Sequence, residues 1–317
     1  MGMHILVGIG GGLASGLLFA APGFGVAIII PFLFLTQLPI AIASLGWGSI
    51  SGLIAATAGT LLVGLTLGLP GAASFIMFIA APAAWLSHLV GLARPGDPIA
   101  NTPTQWFPLG RVLMHAGILV IIATIALSVV FGINEEILAK RVTEAFGEIF
   151  NTGTQSGAIQ PDPQAIATYT KTFVWLIPIV FPVTWLLIAV GNLYLAARIV
   201  RMSGRLTRPW EKLANISLPE PVAIVFCISL AAMFLNGATA LAAAVVAGAL
   251  GFLFLLVGLA VMHTVTVGSQ MRLFILWVVY ILLVMTPFSA ALIAALGLAE
   301  GFFNLRARIG KTPGAST

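Results

Sequence analysis

Long apolar stretches alternate along the chain with short polar segments. A helix needs about 20 apolar residues to cross the hydrocarbon core of a bilayer, so each stretch predicts at least one membrane-spanning helix. The stretches cover residues 5–35, 40–68, 72–92, 112–133, 173–197, 222–262 and 273–303.

The first stretch and the last two are long enough for two crossings each. Turn signals interrupt them at Pro22-Gly23, at Asn236-Gly237 and at Pro287. If every signal is a turn, the chain crosses about ten times, and if the first is a kink it crosses fewer times. The predicted fold class is therefore all-α, a polytopic transmembrane helical bundle of about 8–10 spans.

The polar segment 134–171 has a helical pattern of its own. Asn134 can cap a helix whose first turn carries Glu135 and Glu136, where negative charge is favourable against the helix dipole. Apolar residues recur at helical spacing on one face, at Leu138, Val142, Ala145, Phe146 and Ile149. This pattern predicts an amphipathic helix on the extracytoplasmic interface, followed by a polar loop over residues 151–163.

Charge gives the orientation. Arginine and lysine concentrate in residues 198–212 and in the C-terminal tail, whereas acidic residues exceed basic ones in residues 134–171. Basic loops stay in the cytoplasm, so both termini are predicted to be cytoplasmic in a bacterial inner membrane.

These signals divide one integral membrane domain, residues 1–317, into consecutive parts. They are N-terminal helices (1–92), a cytoplasmic loop (93–111), a span (112–133), the extracytoplasmic helix and loop (134–171), a proline-broken span (172–199), a basic cytoplasmic loop (200–220), C-terminal helices (221–305) and a cytoplasmic tail (306–317).

Composition excludes a soluble enzyme. Sixty per cent of the residues are hydrophobic and seven per cent are charged, against roughly a quarter charged in a soluble domain. The net charge is +5. The basic residues lie in short runs beside apolar segments, where they set the membrane topology, so no nucleic-acid partner is expected. The lone cysteine, Cys227, excludes an internal disulfide and a cysteine metal cluster.

Catalytic and metal-binding patterns are lacking in the sequence. No nucleotide-binding motif is complete. The histidines His4, His88, His115 and His263 are far apart, and none has the spacing of a helical metal pair. We therefore expect no enzymatic activity, no metal and no cofactor. A membrane enzyme for lipid substrates ranks last, because the acidic residues lie almost entirely in loops.

A small-molecule pocket is predicted around Pro178 and Pro182. Each proline removes a backbone donor and disturbs the preceding turn, and broken helices line binding sites in transporters. The predicted pocket residues are Trp175, Thr184, Trp185, Asn192 and the intramembrane His115. The alternative is a proline-kinked packing helix with interfacial tryptophans.

Two charged groups are predicted near the cytoplasmic face. One can contact anionic lipid or a partner, or can serve topology alone, and consists of Arg201, Arg205, Arg208, Trp210 and Lys212. The other is structural ion pairing of Glu300 with Arg272, Arg306 or Arg308.

Small residues recur every four positions in two ladders. One is Gly8, Gly12, Gly16 and Ala20, and the other is Ser44, Gly48, Gly52, Ala56, Thr60, Gly64 and Gly68. Such ladders let helix backbones approach closely in lipid. They predict either tight internal packing or a docking stripe for a membrane protein partner.

The chain contains several short motifs in a fixed order, among them Leu45-Gly46-Trp47-Gly48, Ala80-Ala81-Pro82-Ala83-Ala84-Trp85-Leu86, Arg208-Pro209-Trp210 and Leu296-Gly297-Leu298-Ala299. Taken in this order, the motifs resemble the DUF2232 family of bacterial membrane proteins, most closely its alphaproteobacterial branch. Glu300 stands where members of the family often have aspartate.

The resemblance implies a function, because the family is grouped with the substrate-binding (S) components of energy-coupling-factor transporters. Such a component binds a small molecule in the membrane and works with separate coupling subunits. We therefore expect a small-molecule-binding or transport component. The alternative is a non-transporting membrane scaffold that docks protein partners or anionic lipids.

Overall fold

The described part of the chain is almost entirely helical. The computed structural model describes residues 2–24, 32–97, 102–155, 162–211, 214 and 216–309. The helices are α1 (Gly2–Ala20), α2 (Leu38–Trp47), α3 (Ser49–Phe75), α4 (Ala81–Gly91), α5 (Leu109–Val130), α6 (Glu135–Gln155), α7 (Pro163–Met202), α8 (Glu220–Ala232), α9 (Gly237–Val265), α10 (Arg272–Met285), α11 (Pro287–Phe303) and α12 (Leu305–Ile309). A strand pair, β1 (Ala93–Arg94) and β2 (Gln105–Trp106), is antiparallel.

Helix length and composition confirm the predicted fold class, a helical membrane bundle. Among the described residues, five helical segments are long and apolar enough to cross a bilayer: Gly2–Ala20, Ser49–Gly91, Leu109–Val130, Gln164–Met202 and Gly237–Val265. Shorter apolar helices are present at α2, α8, α10 and α11. The protein is therefore an all-α integral membrane protein.

The turn signals in the sequence fall at real helix ends. Helix α1 ends at Ala20, just before Pro22, and α9 begins at Gly237 after Asn236. A single extended residue, Thr286, separates α10 from Pro287 at the start of α11.

Helix α3 reverses direction at Gly68, whose φ of 73° and ψ of −173° lie outside the helical region. The chain then packs back on itself, because the Phe75 ring lies beside Gly59 and Ala72 lies beside Gly64. The predicted boundary between the second and third apolar stretches is therefore correct.

One predicted crossing, residues 40–68, was wrong as a single helix. Gly48 adopts φ 94° and ψ 166°, a backbone conformation that glycine tolerates, and it separates α2 from α3. The ladder from Ser44 to Gly68 is therefore not one stripe on one helix. Instead Ser44 of α2 lies against Gly52 of α3, where a Cβ atom on Gly52 would be 2.6 Å from that of Ser44.

Close-packed contacts divide the chain into two compact units, each discontinuous in sequence. Unit 1 is Met1–Leu119 with Trp185–Leu218, and unit 2 is Val120–Thr184 with Pro219–Thr317.

In unit 1, the first glycine ladder packs α1 against α3. A Cβ atom on Gly8 would lie 2.9 Å from the Ser51 carbonyl oxygen, and one on Gly16 would lie 3.0 Å from that of Gly59. A Cβ atom on Gly12 would overlap the Ala55 carbonyl oxygen. This ladder is covered by a helix of its own chain, as tight internal packing requires.

In unit 2, α9 is the central helix and is buried over most of its length. Glycines set its closest contacts: a Cβ atom on Gly258 would overlap the Ile293 carbonyl oxygen of α11, and one on Gly297 would overlap that of Phe254. A Cβ atom on Gly248 would likewise overlap the Ile179 carbonyl oxygen of α7. Such contacts allow backbones to approach where lipid supplies little hydrophobic drive between helices.

Helix α6 confirms the amphipathic helix predicted after Asn134, but the polar loop behind it is shorter than predicted. The helix continues to Gln155, and α7 already begins at Pro163. Residues 151–155, predicted as part of the polar loop, therefore belong to α6, and residues 164–171 of the predicted extracytoplasmic segment form the first turns of α7.

Candidate functional site

Unit 2 contains a groove between α6 and the first turns of α7. Its volume is about 480 Å³, within the usual range for small-molecule sites. It is lined by Glu135, Ala139, Thr143, Ile166, Ala167, Thr170, Lys171 and Val174. We call it the α6–α7 groove.

Helix α6 begins with a side-chain cap and packs against α7 through apolar and aromatic side chains. The Asn134 Oδ1 atom accepts a hydrogen bond from the Ile137 backbone N–H at 2.8 Å, which caps the helix as predicted. On the apolar face Val142 is buried. The Phe146 ring of α6 lies edge-on to the Phe173 ring of α7, with 5.4 Å between the ring centroids. This aromatic contact also packs α6 against α7.

Two threonines link the helices within the groove. The Thr143 and Thr170 Oγ1 atoms lie 3.2 Å apart, and Thr143 Oγ1 donates to the Ala139 carbonyl at 2.9 Å. A hydroxyl group has one proton. Because Thr143 donates its proton to the Ala139 carbonyl, Thr170 is the donor in the hydrogen bond between the two threonines. The Thr170 oxygen then keeps lone pairs that can accept a further hydrogen bond.

Opposite charges line the same groove. Glu135 stands in the first turn of α6 and Lys171 on α7, and both are exposed. Within the part of the chain that the structure describes, neither side chain forms an ion pair. The groove therefore offers a carboxylate, an ammonium group, a hydroxyl acceptor and apolar walls to one small molecule.

The predicted break in α7 was wrong, because the helix continues through Pro178 and Pro182 from Pro163 to Met202. A proline's fixed φ is compatible with a helix, and membrane helices tolerate prolines where neighbouring groups satisfy the freed carbonyls. In unit 2, Trp175 is half-buried and Thr184 is exposed. Neither lines the α6–α7 groove.

In unit 1, the predicted pocket residues Trp185 and Asn192 donate hydrogen bonds to backbone carbonyls. Trp185 Nε1 donates to the Phe78 carbonyl at 2.9 Å. Asn192 Nδ2 donates to the Phe34 carbonyl at 2.6 Å and to that of Ile188 at 2.8 Å. Both side chains are buried, and the Trp185 Nε1 and Asn192 Nδ2 atoms bind backbone carbonyls, whereas the Asn192 Oδ1 atom has no hydrogen-bond partner among the described residues.

His115 lies elsewhere in unit 1. Its Nδ1 atom is 2.8 Å from the Arg111 carbonyl oxygen one turn earlier. Its ring packs near those of Phe107 and Trp85, with centroids 5.9 and 6.3 Å away. This aromatic surrounding gives His115 a packing role.

The residues of the predicted basic group differ in burial: Arg208 is buried, whereas Arg201 and Arg205 are exposed. Arg208 is buried and donates to the Val90 and Phe107 carbonyls and to Glu211. The prediction that Arg208 contacts lipid or a partner was therefore wrong: its guanidinium satisfies carbonyls on either side of the β1–β2 hairpin. Lys212 lies outside the described residues.

Arg201 and Arg205 are exposed and lie over tryptophan rings. The Arg201 Cζ atom is 4.8 Å from the centroid of Trp210, and the Arg205 Cζ atom is 4.6 Å from that of Trp47. Trp210 is itself partly exposed, at 37%.

Glu300 is paired at the end of α11. Its Oε1 atom accepts from Arg306 Nε at 2.8 Å, and its Oε2 atom accepts from the Arg306 backbone N–H at 3.1 Å. Asn304 adopts a left-handed conformation that turns the chain back toward Glu300. Among the described residues Arg272, at the start of α10, forms no ion pair.

The groove residues were not recognised as a site from the sequence, where Glu135 was assigned only to the helix dipole. A weak signal precedes the apolar stretch of α7, since Lys171 stands within Thr168, Thr170 and Thr172. Polar residues in this pattern also suit an ordinary helix end, so the signal does not identify a pocket by itself.

Comparison with known proteins identifies the family and no individual relative. A family model described as "Predicted membrane protein (DUF2232)" matches residues 14–300. No curated protein and no solved structure matches the chain.

Proposed function

The chain belongs to the DUF2232 family of predicted membrane proteins, and we propose that it binds a small zwitterionic solute in the α6–α7 groove as a membrane-embedded binding or transport component. The single observation that carries the proposal is the placement of Glu135 and Lys171 along one groove of about 480 Å³. A solute with an ammonium group and a carboxylate can pair with both charges.

The rest of the lining favours a solute with an apolar body. Ile166 and Val174 supply aliphatic walls, and Thr170 supplies a hydroxyl acceptor. Pockets of this kind combine apolar surface with a few polar groups that fix orientation. An amino-acid-like molecule with an aliphatic or aromatic side chain meets these requirements.

The length of α7 supports a groove at the membrane edge. At 1.5 Å per residue its 40 residues extend about 60 Å, against a hydrocarbon core of about 30 Å. The turns that carry Ile166 to Val174 precede or begin the apolar stretch of this helix. With the acidic segment outside, the groove faces the extracytoplasmic side of a bacterial inner membrane, where a solute to be imported arrives.

Such a role is similar to that of the S components of energy-coupling-factor transporters, with capture in this subunit and the energy supplied by separate coupling subunits.

The second candidate is a membrane scaffold. It is favoured by α10, in which no residue is buried and Trp277 is 68% exposed. A helix that is apolar on all sides must lie against lipid or another protein.

A thermal-shift panel tests the binding proposal. The purified protein is heated with leucine or phenylalanine, with isocaproate as the matched carboxylate and with isoamylamine as the matched amine. A ligand that binds only the folded state raises the Tm, by a few degrees near saturation. We expect this rise with the zwitterions and a smaller rise with either single-charge analogue.

Matched variants locate the effect. Lys171→Met and Glu135→Gln should abolish the shift, whereas Lys140→Met and Glu136→Gln, exposed residues of α6 outside the groove lining, should retain it. Shifts that are equal for all four variants, or the lack of any shift across the panel, would contradict a zwitterion site in this groove.

A further inference from the structure

Two arginines, one in the last turn of α7 and one three residues after its end, are held in position by aromatic rings. Arg201 lies over Trp210 and Arg205 over Trp47, with Cζ-to-centroid distances of 4.8 and 4.6 Å. Trp210 is held in turn by Tyr194, whose ring centroid is 5.5 Å away. A guanidinium over an indole ring uses its face, so its in-plane N–H donors stay available to another group.

The carboxylate nearest in sequence does not neutralise these arginines. Glu211 accepts from both Nε and Nη2 of the buried Arg208, at 3.2 and 2.6 Å. Among the described residues neither Arg201 nor Arg205 forms an ion pair. Two fixed positive charges therefore remain at this surface of unit 1.

The last turns of α7 expose apolar residues on a different face of the helix from Arg201. Leu195, Ile199 and Met202 of α7 are 37%, 38% and 81% exposed, and their spacing of four and three places them on one face of the helix. This face belongs to a helix long and apolar enough to cross the bilayer, and that helix ends at Met202. Arg201 and Arg205 therefore stand where the hydrocarbon layer gives way to lipid headgroups.

We propose that Arg201 and Arg205 bind phosphate groups of anionic glycerophospholipids, whose acyl chains lie in the hydrocarbon layer that α7 crosses. Phosphate oxygens accept bidentate, charge-assisted hydrogen bonds from guanidinium groups. A phosphate in solution can make the same polar contacts but gains nothing from the hydrocarbon layer around the apolar helix α7, so the occupant is a lipid. This site does not depend on the α6–α7 groove.

Retention of lipid through delipidation tests the site. The full chain is purified in detergent with an equimolar mixture of phosphatidylglycerol and phosphatidylcholine, and bound lipids are counted by native mass spectrometry during titration. Each base near an anionic headgroup contributes about fivefold in affinity. We therefore expect Arg201→Gln/Arg205→Gln to weaken phosphatidylglycerol binding about 25-fold and to leave phosphatidylcholine binding unchanged.

Three comparisons separate a built site from general attraction. The charge-matched control Lys140→Gln/Arg308→Gln removes two exposed bases of unit 2 and should leave binding unchanged. Trp210→Leu keeps an apolar side chain but removes the ring under Arg201, and should weaken binding several-fold. Glycerol phosphate at millimolar concentration should not displace the lipid.

Each opposite result overturns the proposal. An equal loss in the control double variant would show a diffuse charge effect, and unchanged binding in Trp210→Leu would remove the role of the stacked arginine. Displacement by glycerol phosphate would show a site for a water-soluble phosphate rather than for a lipid.

Discussion

Thr143 of α6 and Thr170 of α7 lie with their hydroxyl oxygens 3.2 Å apart, in a groove that also contains Glu135 and Lys171. This contact fixes the amphipathic helix to the long helix at the place where a solute would bind. It also orients the Thr170 hydroxyl, because Thr143 donates its proton to the Ala139 carbonyl. Stability and binding in this region therefore depend on the same pair.

Replacing Thr170 by valine tests the link between the helices. The isosteric change removes one hydrogen bond, at a cost of about 1 kcal/mol, so amides of α6 should exchange with deuterium several-fold faster. Thr172→Val, at an exposed position of the same helix, is the control and should leave α6 unchanged. Equal exchange in both variants would contradict the contact.

The Phe78 carbonyl gives a prediction about coupled residues in unit 1. It lies in a π-helical segment, Ile76–Ala80, and accepts from Gln37 Nε2 at 3.1 Å and from Trp185 Nε1 at 2.9 Å. Either donor alone can satisfy it. In a double-mutant cycle of Gln37→Leu and Trp185→Phe, thermal unfolding should show a double loss larger than the sum of the single losses by about 1 kcal/mol. Additive losses would mean that the two donors act independently.

The contact between α9 and α11 predicts an unusually costly alanine. A Cβ atom on Gly297 would overlap the Phe254 carbonyl oxygen, whereas one on Gly191 of α7 would meet nothing within 4 Å. Gly297→Ala should therefore lower stability in detergent by about 1–3 kcal/mol, the usual cost of overpacking. Gly191→Ala should be neutral or slightly stabilising, because alanine favours helix more than glycine does. A stable Gly297→Ala protein would contradict this packing.

Orientation is tested by cysteine labelling in intact cells. Cys227 is the only cysteine in the chain, so Cys227→Ser provides a clean background. With the acidic segment outside and the basic segment inside, Glu136→Cys should react with a membrane-impermeant maleimide, and Arg198→Cys should react only after the cells are opened. The reverse labelling pattern would place the α6–α7 groove in the cytoplasm.

Much of the fold follows from local sequence, because lipid makes the requirements of a spanning helix strict. Apolar length gave the membrane spans, and the Asn134 cap and the turn at Asn236-Gly237 mark helix ends through short-range chemistry. Gly48 was missed, since a glycine within an apolar run looks the same whether it packs in a helix or adopts a positive φ. The α7 prolines misled for a related reason: the sequence shows the lost donor but not the neighbours that tolerate it.

The candidate sites were harder to predict because they depend on direction and convergence. A basic run shows where charges lie, but not that Arg208 turns inward to Val90 and Phe107 while Arg201 stays outside. The α6–α7 groove joins Glu135 to Lys171 across two helices and a connecting segment. No spacing rule relates such positions, so only the folded chain places them along one cavity.

The most direct test of solute binding is native mass spectrometry of the protein gently extracted from its own membrane, with the Lys171→Met and Lys140→Met variants measured beside it. We expect wild type and Lys140→Met to retain the same small, amine- and carboxylate-bearing adduct, and Lys171→Met to lose it. A wild-type protein that carries only lipid or a stoichiometric protein partner would contradict the binding function and favour the scaffold.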